Sequence, residues 1–189
     1  MSQHMHTLKA LRDIAYDLGA NERPDLASMA REMGRVIHQQ GRALNDGLAP
    51  LRKRQRGFER WLVGQRSKVS LLVMVWPANH STPVHDHGGL WGLELALQGA
   101  LEVQSWSRDD VSGELTLQGQ DWLGPGDATW FEADGGYAHR CRNLSRHEAA
   151  LTLHVYGGNL AQYLAYEPAA RDKWLARPQR AAIAGHLGA

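Results

Sequence analysis

The chain has 189 residues, with 21 basic against 20 acidic side chains and ten histidines, which suits one domain with a single substantial core and gives no global field favouring nucleic acid or a membrane. No apolar stretch approaches the roughly 18 residues of a membrane span, and the N-terminus, with His4, His6 and Lys9 among polar residues, lacks the apolar core of a signal peptide. The lone Cys141 excludes an intrachain disulfide framework, so the expected setting is a reducing cytoplasm; nothing in the composition specifies an oligomeric state.

The first third reads as helical. Leu8, Leu11, Ile14 and Leu18 recur at helical spacing, with Gly19 placed to stop the helix. A second helix is expected from Arg23-Pro24-Asp25, with Pro24 in its first turn. It carries Leu26, Met29, Met33 and Ile37 on one face and fades at Gly41. The segment from Gly47 to Gly64 is ambiguous, with a short third helix expected around residues 58–62. The basic run Arg52-Lys53-Arg54-Gln55-Arg56 reads as a solvated helix face or connector rather than a polyanion site.

From Val69 the period changes. VSLLVMVW is a continuous, β-branched apolar run of strand length, expected to be buried on both sides. LWGLELALQ, ALEVQSWS, GELTLQGQDWL, DATWFEA and AALTLHVYGG follow as strands, separated by turn signals such as GPGD at 124–127 and ADGG at 133–136. Many short strands between turns indicate a sandwich or barrel. The expected organisation is one mainly β domain. A helical segment over 1–66 precedes a barrel core over 67–160, and an extension over 161–189 wraps it with at most short helices.

Two histidine clusters carry the chemistry. In a strand, residues i and i+2 share a face, so His85 and His87 aim their imidazoles at one point while Asp86 faces away. His139, after the glycine turn of GGYAHRCRN and at the start of a strand, is the candidate third ligand. Three neutral imidazoles leave a divalent ion its full charge, which favours an anionic ligand such as a thiolate. Iron(II), zinc, nickel and copper all accept imidazole. Alternation counted from His87 puts Leu93 on its face and Glu94 on the other, so Glu94 is not expected as a ligand unless the glycines at 88–89 bulge the strand. His4, His6, His38, His80, His147 and His186 read as ordinary helix, tail or turn histidines. Cys141 reads as a buried strand residue rather than a nucleophile. Thr152, His154 and Tyr156 share one face of an otherwise apolar strand. Buried hydroxyls and imidazoles need partners, so this stripe is either a hydrogen-bonded ladder fixing register or a relay in which Thr152 orients His154 and His154 orients the Tyr156 hydroxyl.

PVHDH at 83–87, LQG at 97–99, HRCRN at 139–143 and LTLHVYGGN at 151–159 together resemble the thiol dioxygenases, the cysteine dioxygenase family of the cupin superfamily, over roughly residues 58 to 160. His139-x3-Asn143 looks like the second cupin motif. The resemblance implies a cupin-type β-barrel or jelly roll behind two or three N-terminal helices. It further implies iron(II) held by His85, His87 and His139, a Thr152–His154–Tyr156 relay, and addition of O2 to a small thiol carboxylate to give a sulfinate. Arg60 matches the arginine that holds the substrate carboxylate, with Phe58 in place of a tyrosine. Gly92 stands where mammalian members carry a cysteine crosslinked to the tyrosine, so no crosslink is expected. Gly157-Gly158-Asn159 after Tyr156 looks more like the bacterial mercapto-acid branch, such as 3-mercaptopropionate dioxygenases, than the cysteine-specific enzymes. Trp76, Trp91 and Trp130 either wall the cavity against water or serve equally well as plain core. Two other readings of a cupin remain open: a non-catalytic sensor or binding module, and a metal-dependent enzyme that uses no O2.

Overall fold

The computed structural model describes residues 3–54, 57–66, 68–109, 111–133, 135–169 and 173–188. Gln55 and Arg56 of the basic run and Asp134 of the ADGG turn lie outside the described residues. Two helices come first, α1 (Gln3–Leu18) and α2 (Leu26–Lys53), followed by β1 (Glu59–Arg66), β2 (Val69–Trp76), β3 (Val84–His85), β4 (Gly92–Gln98), β5 (Leu101–Arg108) and β6 (Leu115–Leu123). The remaining strands are β7 (Ala128–Phe131), β8 (Tyr137–Asn143), β9 (Ala150–Tyr156), β10 (Gln162–Pro168), β11 (Trp174–Arg180) and β12 (Gly185–His186). They form two six-stranded sheets, ordered β12-β1-β2-β9-β4-β7 and β11-β10-β3-β8-β5-β6. Their inner faces pack together in the expected cupin-type jelly roll.

The central strands of the first sheet, β2, β9 and β4, are buried on both sides, which explains their unbroken apolar runs. Leu71, Val73 and Val75 of β2, Leu93 and Leu95 of β4, and Leu151, Leu153 and Val155 of β9 pack against Leu8, Leu11, Met29, Met33 and Ile37 of the helices. The alternate residues Leu72, Met74, Trp76, Ala96 and Tyr156 turn the other way, against Leu101, Val103, Leu123 and Cys141 of the second sheet. Because side chains alternate along a strand, Glu94, Thr152 and His154 also face the interior.

Four local expectations are corrected. Asp25 caps α2, accepting from the Ser28 N–H at 2.9 Å, so Pro24 precedes the helix. The helix does not fade at Gly41 but runs 28 residues, because Leu44, Leu48 and Leu51 continue its buried stripe and outweigh the roughly 1 kcal/mol cost of each glycine. Its last turn is anchored by Arg52, which donates from Nε to the Ala149 carbonyl at 2.8 Å and pairs with Glu148. The third helix is absent, and residues 59–66 form β1, antiparallel to β2 with Arg60 opposite Met74. Trp61 and Val63 face the helices while Phe58 and Leu62 face the barrel, a period of two that the short segment also permits. Finally, the C-terminal stretch forms strands rather than a loose wrap. β10 pairs with both β3 and β11, and β12 lies parallel to β1. No described helix is long and apolar enough to cross a membrane.

Candidate functional site

His85 ends β3, opposite His139 of β8. His87 is not on that strand, because the extended run stops at His85 and Gly88 and Gly89 take left-handed φ of 61° and 77°. The three imidazoles nevertheless converge, each offering a nitrogen within 4.8 Å of the others. Asp86 faces away as expected and fastens the segment to β10. It accepts from the Leu164 N–H at 2.9 Å and the Tyr166 hydroxyl at 2.7 Å, while its own N–H donates to the Leu164 carbonyl.

The three histidines could together hold a metal ion. His85 Nδ1 donates to the Pro83 carbonyl at 3.0 Å, which leaves the Nε2 lone pair pointing at His139 Nε2, 3.2 Å away. His87 is 3 % exposed and neither of its ring nitrogens has a hydrogen-bond partner among the described residues. A buried, unpartnered imidazole is costly, and a metal ion on one nitrogen would supply the missing partner. Burial pushes all three imidazoles below their usual pKa; at His87 the charges of His85, His154 and Arg60 act the same way, whereas at His139 Glu94 opposes the shift. They are therefore neutral at pH 7, the state a metal requires.

The Thr152–His154–Tyr156 stripe is a continuous hydrogen-bonded chain. Trp76 Nε1 donates to Thr152 Oγ1 at 2.8 Å, His154 Nε2 lies 2.7 Å from the same oxygen, and His154 Nδ1 is 3.0 Å from the Tyr156 hydroxyl. With one Thr152 lone pair taken by the indole, its O–H is free to donate to His154 Nε2. The ring proton then sits on Nδ1 and donates to the Tyr156 oxygen, so the phenolic O–H is left for the cavity. Burial raises the Tyr156 pKa further, which keeps that proton in place.

Arg60 reaches the same cavity from β1. This cavity, about 210 Å³, is also lined by Met74, Trp76, His85, His139 and Tyr156. The guanidinium lies over the Phe58 ring at 4.7 Å and donates from Nη2 to the Tyr163 hydroxyl at 3.4 Å, while its buried Nε has no partner. A guanidinium with an unpartnered N–H beside a cavity has the chemistry to pair with a carboxylate.

Three participants escape the sequence reading. Glu94, opposite His154 on β9, is 2 % exposed, with Oε1 3.4 Å from His139 Nε2 and 3.2 Å from His154 Nδ1. The expectation that it faces away fails because two left-handed glycines break the strand phase between His87 and β4. The signal available was a single acid inside LELAL. Burial pushes the Glu94 pKa up, whereas positive charge on His139 or His154 would pull it down. Tyr163 arrives from β10, 5.4 Å from the His85 ring, with no local signal. His80, read as a turn histidine, stacks on Phe58 at 5.0 Å and lines the cavity. Of the expected tryptophan walls only Trp76 serves. Trp91 packs in the core shared with the helices, and Trp130 is 43 % exposed. Cys141 is buried, with its Sγ donating to Glu94 Oε2 at 3.7 Å, and burial raises its thiol pKa well above the usual range, which suits a structural residue.

The family model described as cysteine dioxygenase type I matches residues 49–169. The chain belongs to this family. Within the cysteine dioxygenase family it is 30 % identical to cysteine dioxygenase type 1 of Homo sapiens over 105 residues, covering 54 % of this chain and 52 % of that protein. It is 28 % identical to the Danio rerio protein over the same length. The chain thus spans about half the length of the curated relatives it matches. Among solved structures it is similar to TT1209 from Thermus thermophilus (TM-score 0.44, 24 % identity, 54 % of this chain and 84 % of that one). It is also similar to oxalate oxidase with the substrate analogue glycolate (TM-score 0.45, 16 % identity, 55 % and 53 %).

Gly92 shows how this cysteine dioxygenase family member closes the space beside its tyrosine. It pairs with Tyr156 on one side and Phe131 on the other, and a Cβ there would lie 2.2 Å from the Phe131 ring. Phe131 fills the gap and stacks on His87 at 4.2 Å. A Gly92→Ala variant is expected to lose about 1–3 kcal/mol of stability in urea denaturation, because the ring must leave its seat. Unchanged stability would mean that Phe131 repacks freely.

Proposed function

We propose that the chain is an iron(II)-dependent thiol dioxygenase that converts a small thiol carboxylate, R–SH, and O2 into the sulfinic acid, R–SO2H, with both oxygen atoms kept in the product. The observation that carries the reading is the convergence of three neutral imidazoles beside one cavity that a phenol held as a donor and a guanidinium with an unpartnered Nε also line. When bound, iron supplies the redox chemistry that lets O2 react with sulfur, which zinc, having no redox change, does not. His85, His87 and His139 would hold it. A cytoplasmic, reducing setting keeps the substrate thiol free.

The protein's own residues divide the remaining work. Arg60 takes the substrate carboxylate through its unpartnered Nε and its Nη groups, and the neighbouring Tyr163 hydroxyl takes the place of the hydroxyl that Phe58 lacks. Fixing that end holds the sulfur in one place, which replaces an encounter by a pre-oriented contact. Tyr156 donates its O–H to charge developing on the reacting oxygen or sulfur. Thr152 and His154 keep that hydrogen pointing into the cavity, and Trp76 keeps Thr152 in the donating orientation. Met74, Trp76 and Leu160 exclude water from the reacting atoms.

Oxygen uptake by the iron-loaded protein with 3-mercaptopropionate, cysteine and mercaptosuccinate tests this. One O2 consumed per sulfinate formed, with one thiol preferred, is the expected result; no uptake with any of them despite bound iron would sink the assignment. Arg60→Ala is expected to lower kcat/KM about ten- to hundredfold, chiefly through KM, since a charge-assisted hydrogen bond contributes about 1.5–3 kcal/mol.

A further inference from the structure

The histidine-lined cavity has a smaller neighbour. A chamber of about 30 Å³ lies against β1 and β2, with Leu62, Leu72, Met74 and Tyr156 in its walls. Arg60, Met74, Tyr156 and Leu160 line both spaces, so the two share a wall. Met74 and Tyr156 are buried, whereas Gln65, Asn159 and Ile183 on the opposite side are exposed, so the chamber reaches from the protein surface to the back of the site. The stretch between β11 and β12 roofs it and is held at two points. The Ala181 N–H donates to the Ala161 carbonyl at 3.0 Å, and the Ala184 N–H donates to the Arg60 carbonyl at 2.8 Å. Ile183 sits between these two anchors, over the chamber's outer end.

The two spaces suit different molecules. The larger one is rimmed by His80, Ser81, Thr82 and Pro83 and holds Arg60, which favours a polar, charged entrant. A single water needs about 10–15 Å³ of free space, so the chamber, at about 30 Å³, admits a diatomic molecule but no thiol acid. Leu62, Leu72 and Ile183 make its middle aliphatic, and the Ser70 hydroxyl there is already spent on the Gly158 carbonyl at 2.6 Å. Water entering such a space gives up hydrogen bonds, whereas a neutral diatomic gas has none to lose. We infer that the chamber is the O2 entrance. The gas enters past Ile183, rests between Leu62 and Leu72, and passes Met74 and Leu160 into the histidine-lined cavity. Met74, unbranched and with three rotatable bonds, is the side chain that swings aside. This inference rests on the proposed dioxygenase reading and adds a consequence to it: O2 still has a way in after the thiol has filled the main cavity from the other side.

The test uses the full chain with Leu62→Phe, which fills the chamber, and Ile183→Trp, which covers its outer end. Nitric oxide is the diatomic probe of the iron(II)-loaded protein, and xenon is the probe of metal-free crystals. Both variants are expected to slow nitric oxide binding and release about fivefold each, so that its affinity is unchanged, as a narrowed passage requires. KM for O2 rises by a similar factor, while metal content, Tm and KM for the thiol keep their wild-type values. Xenon occupies the chamber in wild type and is displaced in Leu62→Phe. If Leu62→Phe misfolds, Ile183→Trp, at an exposed position, carries the kinetic test alone. Unchanged nitric oxide rates in the folded variants overturn the inference, because the gas then enters where the thiol does. Xenon in the chamber and slowed nitric oxide binding, without O2 uptake by wild type, leave the passage standing and remove the dioxygenase reading. Sulfinate formation with unchanged gas rates does the reverse.

Discussion

A His87→Ala variant is expected to fold and to lose the metal. The ring is buried, stacked on Phe131 at 4.2 Å, and makes no hydrogen bond through either nitrogen. Deleting it opens a void whose cost is a few kcal/mol, but it also removes two unsatisfied buried polar atoms, each worth about 1–3 kcal/mol. These effects offset one another, so the metal-free variant stays near wild-type stability. With metal the two proteins separate. Binding to the folded state alone stabilises by about 2.7 kcal/mol at a hundredfold excess over Kd, which for a domain of this size raises the Tm by about 5–10 °C. Wild type is expected to show that rise on adding iron(II) or cobalt(II), and His87→Ala to show none, with metal content after dialysis near zero and no O2 uptake. A full Tm rise and stoichiometric metal in the variant would remove His87 from the ligand set.

The second large effect is on stability and lies at the far end of β8. Asn143, 1 % exposed, donates from Nδ2 to the carbonyls of Trp76 at 3.0 Å, Pro77 at 3.0 Å and Glu148 at 2.9 Å, and its Oδ1 accepts from the Ser145 N–H at 3.0 Å. One side chain thus ties the end of β2 to the turn before β9, the two strands that carry Trp76 and Thr152. Asn143→Ala strands these backbone groups away from water, at a net cost of about 1 kcal/mol for each of the three hydrogen bonds that two N–H hydrogens and one accepting oxygen make. A loss of about 3 kcal/mol in urea denaturation is expected, equivalent to about 6–12 °C in Tm. Asn143→Asp is expected to be no better, since a carboxylate cannot donate. A loss below 1 kcal/mol would mean that the turn rearranges to satisfy its own carbonyls.

The sequence by itself determined what depends on neighbours along the chain. The unbroken run VSLLVMVW announces a strand covered on both faces, and β2 is buried throughout, between the helices and the second sheet. The i, i+2 spacing of Thr152, His154 and Tyr156 settles that they share a face, because alternation within one continuous strand is enforced by the pleat. The same local logic fails wherever the backbone leaves regular conformation. Counting from His87 to Glu94 crosses Gly88 and Gly89, whose left-handed φ values reset the phase. The histidine pair therefore meets through a strand end and a loop, and Glu94 turns inward.

Tertiary structure alone decided the partners. The register that sets Glu94 opposite His154, the pairing that sets His85 opposite His139, and the arrival of Tyr163 beside Arg60 from β10 are all contacts between residues far apart in the chain. Residues 59–66 became a strand because β2 offered an edge to pair with, which outweighs the weak preference of so short a segment. α2 outran its glycines because its leucines had a sheet to cover. Periodicity states which side of an element is apolar, but only the pairing of strands says what stands across from it, and in this site that is where the chemistry is assembled.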